Sequence, residues 1–178
     1  MRKLAYEEIF ASRPTLEELE KLNRFPFYCV AENVRSLYNV GSIFRTSDAV
    51  RLQKLFLTGY TGFPPRKEID KTALGAVDSV PWQHIQNSPD VVWQLKKQHI
   101  QIIALEHTSN SVPFNEFDYQ FPLCLLLGNE VEGLTEELID LSDAAVEIPM
   151  FGLKQSLNVS VAFGVVMFQI LCKYLRRK

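Results

Sequence analysis

Five side chains that can do chemistry lie in three separate polar segments of this sequence. Asn39 and Arg45 belong to NVGSIFR, Glu130 belongs to LLLGNEVEGL, and Ser156 and Asn158 belong to IPMFGLKQSLNVSVA. An arginine among small hydrogen-bonding groups can hold a phosphate and stabilise negative charge that develops on an oxygen atom. The segment GNEVEG lacks the Lys-Ser/Thr pair of a phosphate loop, and the chain has no G-x-G-x-x-G. Neither a nucleoside triphosphate site nor a nicotinamide site is therefore indicated.

Each of these segments directly follows a predicted β-strand. Strand-like and helix-like segments alternate along the chain, and strands such as LCLLL are continuously apolar, which is typical of a parallel sheet that is buried on both faces. We therefore predict an α/β fold with a mostly parallel sheet flanked by helices. Ligands of such sheets bind beyond the carboxyl ends of the strands. The predicted strands are 27–33, 54–59, 100–106, 122–128 and 144–149.

The entrance of the last predicted helix carries more polar side chains than a buried element needs. The helix is apolar on nearly every side from Val159 to Leu171, yet Ser156, Asn158 and Ser160 lie at its start. One explanation is structural, because a serine at position 156 can cap the helix and stabilise it by about 1 kcal/mol. Similar explanations exist elsewhere: an N-cap for Asn39, an exposed helix charge for Arg45 and an acidic turn residue for Glu130.

Length and composition indicate a single domain. The chain has 178 residues, of which 47% are hydrophobic and 22% are charged, which is ordinary for a globular protein. We predict an N-terminal extension over 1–24, in which Thr15 and Glu18 form a helix-capping box, and a main domain over 25–178. The three cysteines are expected to be buried free thiols. A cytoplasmic protein is predicted, since no secretory signal or membrane span is visible.

The charges are unevenly distributed along the chain. Segment 35–71 has seven lysines and arginines and three acidic residues, whereas segment 106–143 has nine acidic residues and no lysine or arginine. A chain polarised in this way can present one basic face to an anion such as RNA. Unevenly charged solvated surface is the alternative interpretation.

The three polar segments together resemble the motifs of the SpoU (TrmH-type) family of RNA ribose 2'-O-methyltransferases, in the SPOUT superfamily. The first motif has Asn, Gly and Arg, here Asn39, Gly41 and Arg45. The second is an apolar strand ending in Gly-x-Glu-x-x-Gly, here Gly128 to Gly133. The third, Ile-Pro-Met-x-Gly-x-x-x-Ser-Leu-Asn-Val-Ser-x-Ala, matches residues 148–162 without a mismatch. The resemblance runs from about Phe27 to the last helix.

The resemblance implies a reaction, a cofactor and an assembly. S-adenosylmethionine would donate a methyl group to a ribose 2'-hydroxyl of RNA, with transfer RNA as the first candidate and ribosomal RNA as the second. No metal is expected. The C-terminal part would form a deep trefoil knot, and the C-terminal helix would lie in a homodimer interface. The implied cofactor-binding residues are Leu127, Gly128, Asn129, Ile148, Pro149, Met150, Ser156 and Leu157, and the expected RNA-binding residues are Arg35, Arg45, Arg66 and Lys67.

The resemblance also implies catalytic roles for Arg45, Asn39, Ser156, Asn158 and Glu130. The family assigns removal of the hydroxyl proton to the arginine of the first motif, here Arg45. A guanidinium is normally fixed as a cation, so a second role, holding the adjacent phosphate and stabilising the oxyanion, stays open. Two other functions also stay open: an RNA-binding protein of the same fold without catalysis, and a base methyltransferase of the wider superfamily.

Overall fold

A parallel β-sheet forms the centre of the molecule. The computed structural model describes residues 1–177, and within that range the sheet has seven strands, all paired in parallel. Their order is β3-β2-β1-β6-β4-β7-β5. The strands are β1 (Phe27–Glu32), β2 (Lys54–Thr58), β3 (Trp82–Ile85), β4 (Gln101–Leu105), β5 (Val112–Pro113), β6 (Leu123–Leu127) and β7 (Ala144–Glu147).

Both faces of the sheet are covered by helices. Helices α3, α4, α5 and α8 lie on one face, and α6 and α7 lie on the other, so successive residues of the central strands point into two different cores. In β6, Leu123 and Leu125 contribute to the first core and Cys124 contributes to the second. The helices are α1 (Tyr6–Ala11), α2 (Leu16–Lys21), α3 (Leu37–Ala49), α4 (Lys67–Ala73), α5 (Ala76–Ser79), α6 (Ser88–Lys97), α7 (Glu136–Leu141) and α8 (Val159–Leu175).

The prediction of a mostly parallel α/β sheet is confirmed, but two strands were missed. β3 and β5 form the two edges of the sheet. β3 has the mixed sequence WQHI and no fully buried residue, and β5 has two residues. An edge strand is buried less than a central one, so it does not need the continuous apolar run that marks the other five.

The segment before β1 forms two short helices. Helix α2 begins with the predicted capping box, in which the Glu18 backbone N–H donates to Thr15 Oγ1 at 3.2 Å and the Thr15 N–H donates to Glu18 Oε2 at 2.8 Å. Arg51 ties this segment to the main fold by donating to the carbonyl oxygens of Leu19 and Leu22. The boundary at residue 24 stays a prediction.

The expectation of three buried thiols is wrong for one of them. Cys29 and Cys124 are buried and free, but Cys172 is exposed, because it lies on the outer face of α8. Within residues 1–177, no helix is both long and apolar enough to cross a membrane.

Candidate active site

Glu130 connects the loop after β6 to the start of α3. Its carboxylate accepts hydrogen bonds from the backbone N–H groups of Arg35, at 2.9 Å, and Ser36, at 3.1 Å. It also accepts one from Asn39 Nδ2 at 2.8 Å. Burial alone would raise the pKa of the Glu130 carboxyl, but these hydrogen bonds outweigh burial and lower that pKa below its ordinary value. Glu130 is thus an ionised anchor and more than an acidic turn residue.

Asn39 and Asn158 continue this contact to the start of α8. Asn158 Nδ2 donates to Asn39 Oδ1 at 3.0 Å, and Asn158 Oδ1 accepts from the backbone N–H groups of Ser160 and Val161. A carboxylate can only accept and a backbone N–H can only donate. These two ends therefore fix the orientation of both amides. We call Glu130, Asn39 and Asn158 the polar chain; it joins all three predicted motifs.

The residues that cap α3 and α8 are not the ones that the sequence suggested as caps. Ser36, and not Asn39, is the N-cap of α3, with its side chain accepting from the Asn39 N–H. Asn158, and not Ser156, is the N-cap of α8. Ser156 lies before the helix in an exposed loop and has no hydrogen bond within residues 1–177. Helix capping therefore explains Asn158 at the start of α8 but does not explain Ser156.

Two motif glycines allow the close contacts on which the polar chain depends. A Cβ atom on Gly41 would lie 2.1 Å from Thr72 Oγ1 and 2.3 Å from the Ile69 carbonyl oxygen, so α3 and α4 could not pack as they do. Gly133 has a φ of +72° and closes the Glu130 loop by pairing with Asn129. A left-handed backbone conformation of this kind favours glycine.

Arg45 lies on the exposed side of α3, next to the start of α8. Its guanidinium forms no hydrogen bond or ion pair within residues 1–177, so it can contact a ligand without breaking a structural contact. It borders an open cavity of about 560 Å³. The cavity is lined by Ser42, Arg45, Thr46, Ala49, Lys71, Thr72, Ser160, Val161 and Phe168.

A second, smaller cavity lies on the other side of the start of α8. Four of the residues predicted to bind cofactor line it: Ile148, Met150, Ser156 and Leu157. The remaining lining residues are Leu105, Glu106, His107, Glu147 and Ala162. Apolar walls with a few polar groups are typical of a ligand site. Its volume of about 90 Å³ is below the several hundred Å³ of most ligand sites, so it would hold only part of a larger ligand.

The other four predicted cofactor residues do not line this cavity. Leu127 and Gly128 are buried, and a Cβ on Gly128 would lie 2.2 Å from the carbonyl carbon of Gly133. The Asn129 amide is used inside the loop and towards Asn33 and Tyr60. Pro149 is half-buried. The structure thus gives Gly128 and Asn129 a role in shaping the loop that presents Glu130.

Comparison with known proteins agrees with these motifs. The model of the SpoU rRNA Methylase family matches residues 26–168, which include the polar chain, Arg45 and both cavities' principal lining residues. The chain belongs to this family. The two helices of segment 1–24 precede the residues that the family model matches.

Individual SpoU relatives cover most of this chain. A tRNA (guanosine(18)-2'-O)-methyltransferase of Escherichia coli K12 is 36% identical over 141 residues, 78% of this chain and 59% of the relative. The crystal structure of an A. aeolicus TrmH/SpoU tRNA modifying enzyme has a TM-score of 0.82 at 30% identity, covering 91% of this chain and 82% of that one. An AdoMet-bound rRNA methyltransferase from Sinorhizobium meliloti has a TM-score of 0.79 at 31% identity, covering 88% of this chain and 60% of that one.

Several residues of the site carried no local signal in the sequence. Glu106 and His107 follow β4, which belongs to none of the three motifs. Lys71 was predicted only as part of the basic segment 35–71, and it lines the same cavity as Arg45. The expected RNA-binding residues Arg35, Arg66 and Lys67 are all exposed. The topology of the SpoU fold, rather than any spacing in the sequence, brings the end of β4 beside the third motif.

Proposed function

We propose that this protein is an S-adenosylmethionine-dependent methyltransferase that modifies a ribose 2'-hydroxyl of RNA. The observation that carries the proposal is the polar chain. It holds the three motifs together and leaves the Arg45 guanidinium unpaired in a cavity that shares the start of α8 with the predicted cofactor cavity. Ser160 and Val161 face the Arg45 cavity, whereas Leu157 and Ala162 face the other, so one helix end borders both reactants' sites.

The residues of this chain would act mainly by alignment and charge. Bound S-adenosylmethionine supplies the methyl group for an in-line displacement, in which alignment of the reacting atoms lowers the barrier most. The Arg45 guanidinium would bind the phosphate next to the target ribose and stabilise negative charge on its 2'-oxygen. Glu130 and Asn39 would act indirectly, by holding Asn158 and the start of α8 in place.

The third motif would hold the cofactor. Ile148, Met150 and Leu157 would supply apolar contacts and backbone groups, and Ser156 would supply a hydroxyl whose hydrogen-bonding capacity is not used elsewhere. Leu127, Gly128, Asn129 and Pro149 would contribute through the backbone of the adjoining loops. We expect no metal ion, since the positively charged sulfonium of the cofactor leaves as a neutral thioether and needs no metal to activate it.

The RNA would bind on the basic side of α3 and α4. Arg35, Arg66 and Lys67 are exposed there, and Lys71 borders the Arg45 cavity. Transfer RNA is the proposed substrate because the E. coli relative and the A. aeolicus structure are named for tRNA modification. The matched region spans 59% of that E. coli relative, so the target nucleotide is left open. A cytoplasmic location is expected for an enzyme that acts on tRNA.

A homodimer would cover the outer face of α8. Phe163, Val166, Met167 and Ile170 pack into the core, while the opposite stripe of the helix remains exposed. The exposed stripe is formed by Val161, Val165, Phe168, Cys172 and Leu175. An apolar stripe of this length is typical of an interface. Because Val161 and Phe168 also line the Arg45 cavity, the second copy would border the proposed substrate site.

The dimer is tested by placing a charge in this stripe. We expect Val165→Glu to abolish the dimer or cause aggregation, because the carboxylate would be buried between apolar helices. Light scattering at micromolar concentration measures the mass. Trp93→Glu is the matched control, since Trp93 is exposed on α6, on the opposite face of the sheet. A wild-type protein that is monomeric and active would contradict the dimer.

The knot of the family is also proposed for this chain. Support comes from the path of α8, whose last turns pack against the segment between β5 and β6. Lys173 Nζ donates to the Phe117 carbonyl oxygen at 2.7 Å, Arg177 donates to the Tyr119 carbonyl oxygen at 2.6 Å, and the Tyr174 ring contacts Phe121. The end of α8 thus packs against an earlier connection of the chain, and this contact supports the proposal of a knot.

The proposed reaction is tested by the position of the transferred methyl group. Labelled cofactor is incubated with the protein and tRNA from a strain that lacks the gene, and the tRNA is then hydrolysed in alkali. A 2'-O-methyl group removes the nucleophile that cleaves the neighbouring phosphodiester, so we expect label in an alkali-stable dinucleotide. Label in mononucleotides would indicate a base methyltransferase. Cofactor binding without any transfer would indicate an RNA-binding protein that has lost catalysis.

A further inference from the structure

The loop 150–157 is weakly attached to the rest of the protein. Phe151 and Leu153 are almost completely exposed, at 98% and 102%, although Met150, Ser156 and Leu157 form a wall of the predicted cofactor cavity. Within residues 1–177, one hydrogen bond reaches this loop: His107 Nε2 lies 3.1 Å from the Gln155 carbonyl oxygen. The position of the cavity wall therefore depends strongly on His107.

The other side of the His107 ring contacts a carboxylate. Its Nδ1 atom lies 3.3 Å from Glu147 Oε2 at the end of β7, and the same oxygen accepts from Ser111 Oγ at 2.6 Å. The hydrogen bond from Ser111, followed by that from His107, lowers the pKa of the Glu147 carboxyl. Glu147 is thus a fixed anion that orients the ring towards the loop.

Both partners of the imidazole can only accept hydrogen bonds. A carbonyl oxygen and an ionised carboxylate have no proton to donate, and a neutral imidazole carries one N–H. The Gln155 contact therefore needs a proton on Nε2, and the Glu147 contact keeps the ring in place. We propose that His107 is a positioning residue that fastens the loop 150–157 against the cofactor cavity.

The role in cofactor binding rests on the proposed function, but the fastening itself can be measured on the protein alone. Trypsin cleaves after lysine, and Lys154 immediately precedes the residue that His107 holds. Cleavage at Lys154 is followed by mass spectrometry and divided by the rate for a free peptide of the loop sequence at the same pH. We expect the wild-type loop to be cleaved about tenfold more slowly than the free peptide, because the hydrogen bond from His107 holds Gln155.

Three variants separate fastening from general stability. His107→Asn should be cleaved about tenfold faster than the wild type, whereas the matched control His99→Asn should behave as the wild type, since His99 is exposed just after α6. Glu147→Ala removes the second contact of the ring and should also release the loop. In Glu147→Gln the amide can donate to Nδ1 and keep the ring in place, so this variant should stay protected. If His107→Asn unfolds, the two Glu147 variants decide.

Calorimetry with S-adenosylhomocysteine then tests the link to the cofactor. We expect His107→Asn to bind S-adenosylhomocysteine about tenfold more weakly than the wild type, and Glu147→Gln to bind it within a few fold of the wild type. Cleavage of His107→Asn at the wild-type rate would overturn the inference, as would release of the loop in Glu147→Gln but not in Glu147→Ala. A protein that shows the cleavage pattern but no cofactor binding would refute the proposed function and leave the fastening intact.

Discussion

The polar chain and the loop 150–157 lie on either side of the start of α8, and they are held in very different ways. Glu130 accepts three hydrogen bonds, and every member of the polar chain contacts a helix N-terminus or another motif. The loop 150–157 is exposed and is contacted by one imidazole. The side that would hold the ribose is prebuilt, whereas the side that would hold the cofactor has a single hydrogen bond to the rest of the described residues.

This difference follows from what each side has to do. Stabilisation of charge in a transition state requires groups that are fixed before the reaction. A cofactor that is exchanged after every turnover requires a wall that moves, and such walls come from the least stable parts of a fold. The charges differ as well, since the α3–α4 side is basic and the cavity beside the loop has Glu106 and Glu147.

The largest expected effect is on the prebuilt side. Arg45→Ala should lower the rate of methyl transfer by about 10²–10³-fold, the usual cost of removing one group that stabilises a developing oxyanion. Cofactor affinity, measured by calorimetry with S-adenosylhomocysteine, should stay within a few fold, because Arg45 does not line the cofactor cavity. Lys97→Ala, on the opposite face of the sheet, is the control. A large loss of cofactor binding would place Arg45 in the cofactor site.

Glycine-to-alanine substitutions compare how tightly the chain is packed in the loop that presents Glu130 and in the loop 150–157. In Gly128→Ala the new Cβ would lie 2.2 Å from Gly133 and 2.3 Å from the Leu134 nitrogen, both backbone atoms. We expect the free energy of unfolding to fall by about 1–3 kcal/mol or more. Gly152→Ala has no atom within 4 Å and should be neutral within about 0.5 kcal/mol. Chemical denaturation measures both, and equal losses would remove the contrast between the loop 150–157 and the loop that presents Glu130.

The sequence predicted the central sheet well because each central strand has to be buried on two faces. It missed β3 and β5 because edge strands are short and partly polar. The resemblance to a family predicted that Asn39, Glu130 and Asn158 belong to one site. Their direct hydrogen bonds could be seen only in the structure. Ser156 and Asn158 are both possible N-caps in the sequence, and only the structure shows that Asn158 caps α8 and also contacts Asn39, 119 residues away. His107 had no motif at all.

A smaller effect is expected when the anchor of the polar chain is removed. Glu130→Ala leaves two backbone N–H groups and the Asn39 amide without their acceptor, so the free energy of unfolding should fall by about 1–3 kcal/mol. Glu132→Ala is the matched control, since the Glu132 carboxylate is exposed and has no hydrogen bond within residues 1–177. Urea denaturation measures both variants, and equal stabilities would show that the anchor contributes nothing.

The ionisation of Glu130 adds a pH dependence with a definite sign. Its pKa is lower in the folded protein than its ordinary value. The stabilisation is therefore complete above that ordinary value and is lost as the pH falls through the folded pKa. The difference in unfolding free energy between the wild type and Glu130→Gln should thus shrink between about pH 6 and about pH 3. A difference that stays constant would contradict an ionised anchor.

The smallest expected effect concerns the basic surface beside the polar chain. Each lysine that contacts a phosphate releases bound cations, so it contributes about 0.9 to the slope of log affinity against log salt concentration. Lys67→Glu should lower that slope by about 1, and reversing Arg66 as well should lower it by about 2. Lys97→Glu makes the same change of charge on α6, across the sheet from α4, and should leave the slope nearly unchanged. Filter binding of tRNA over a range of salt concentrations gives the slopes. If Lys97→Glu flattened the slope and Lys67→Glu did not, the RNA would bind to the α6 side of the sheet, and Arg45 would face away from it.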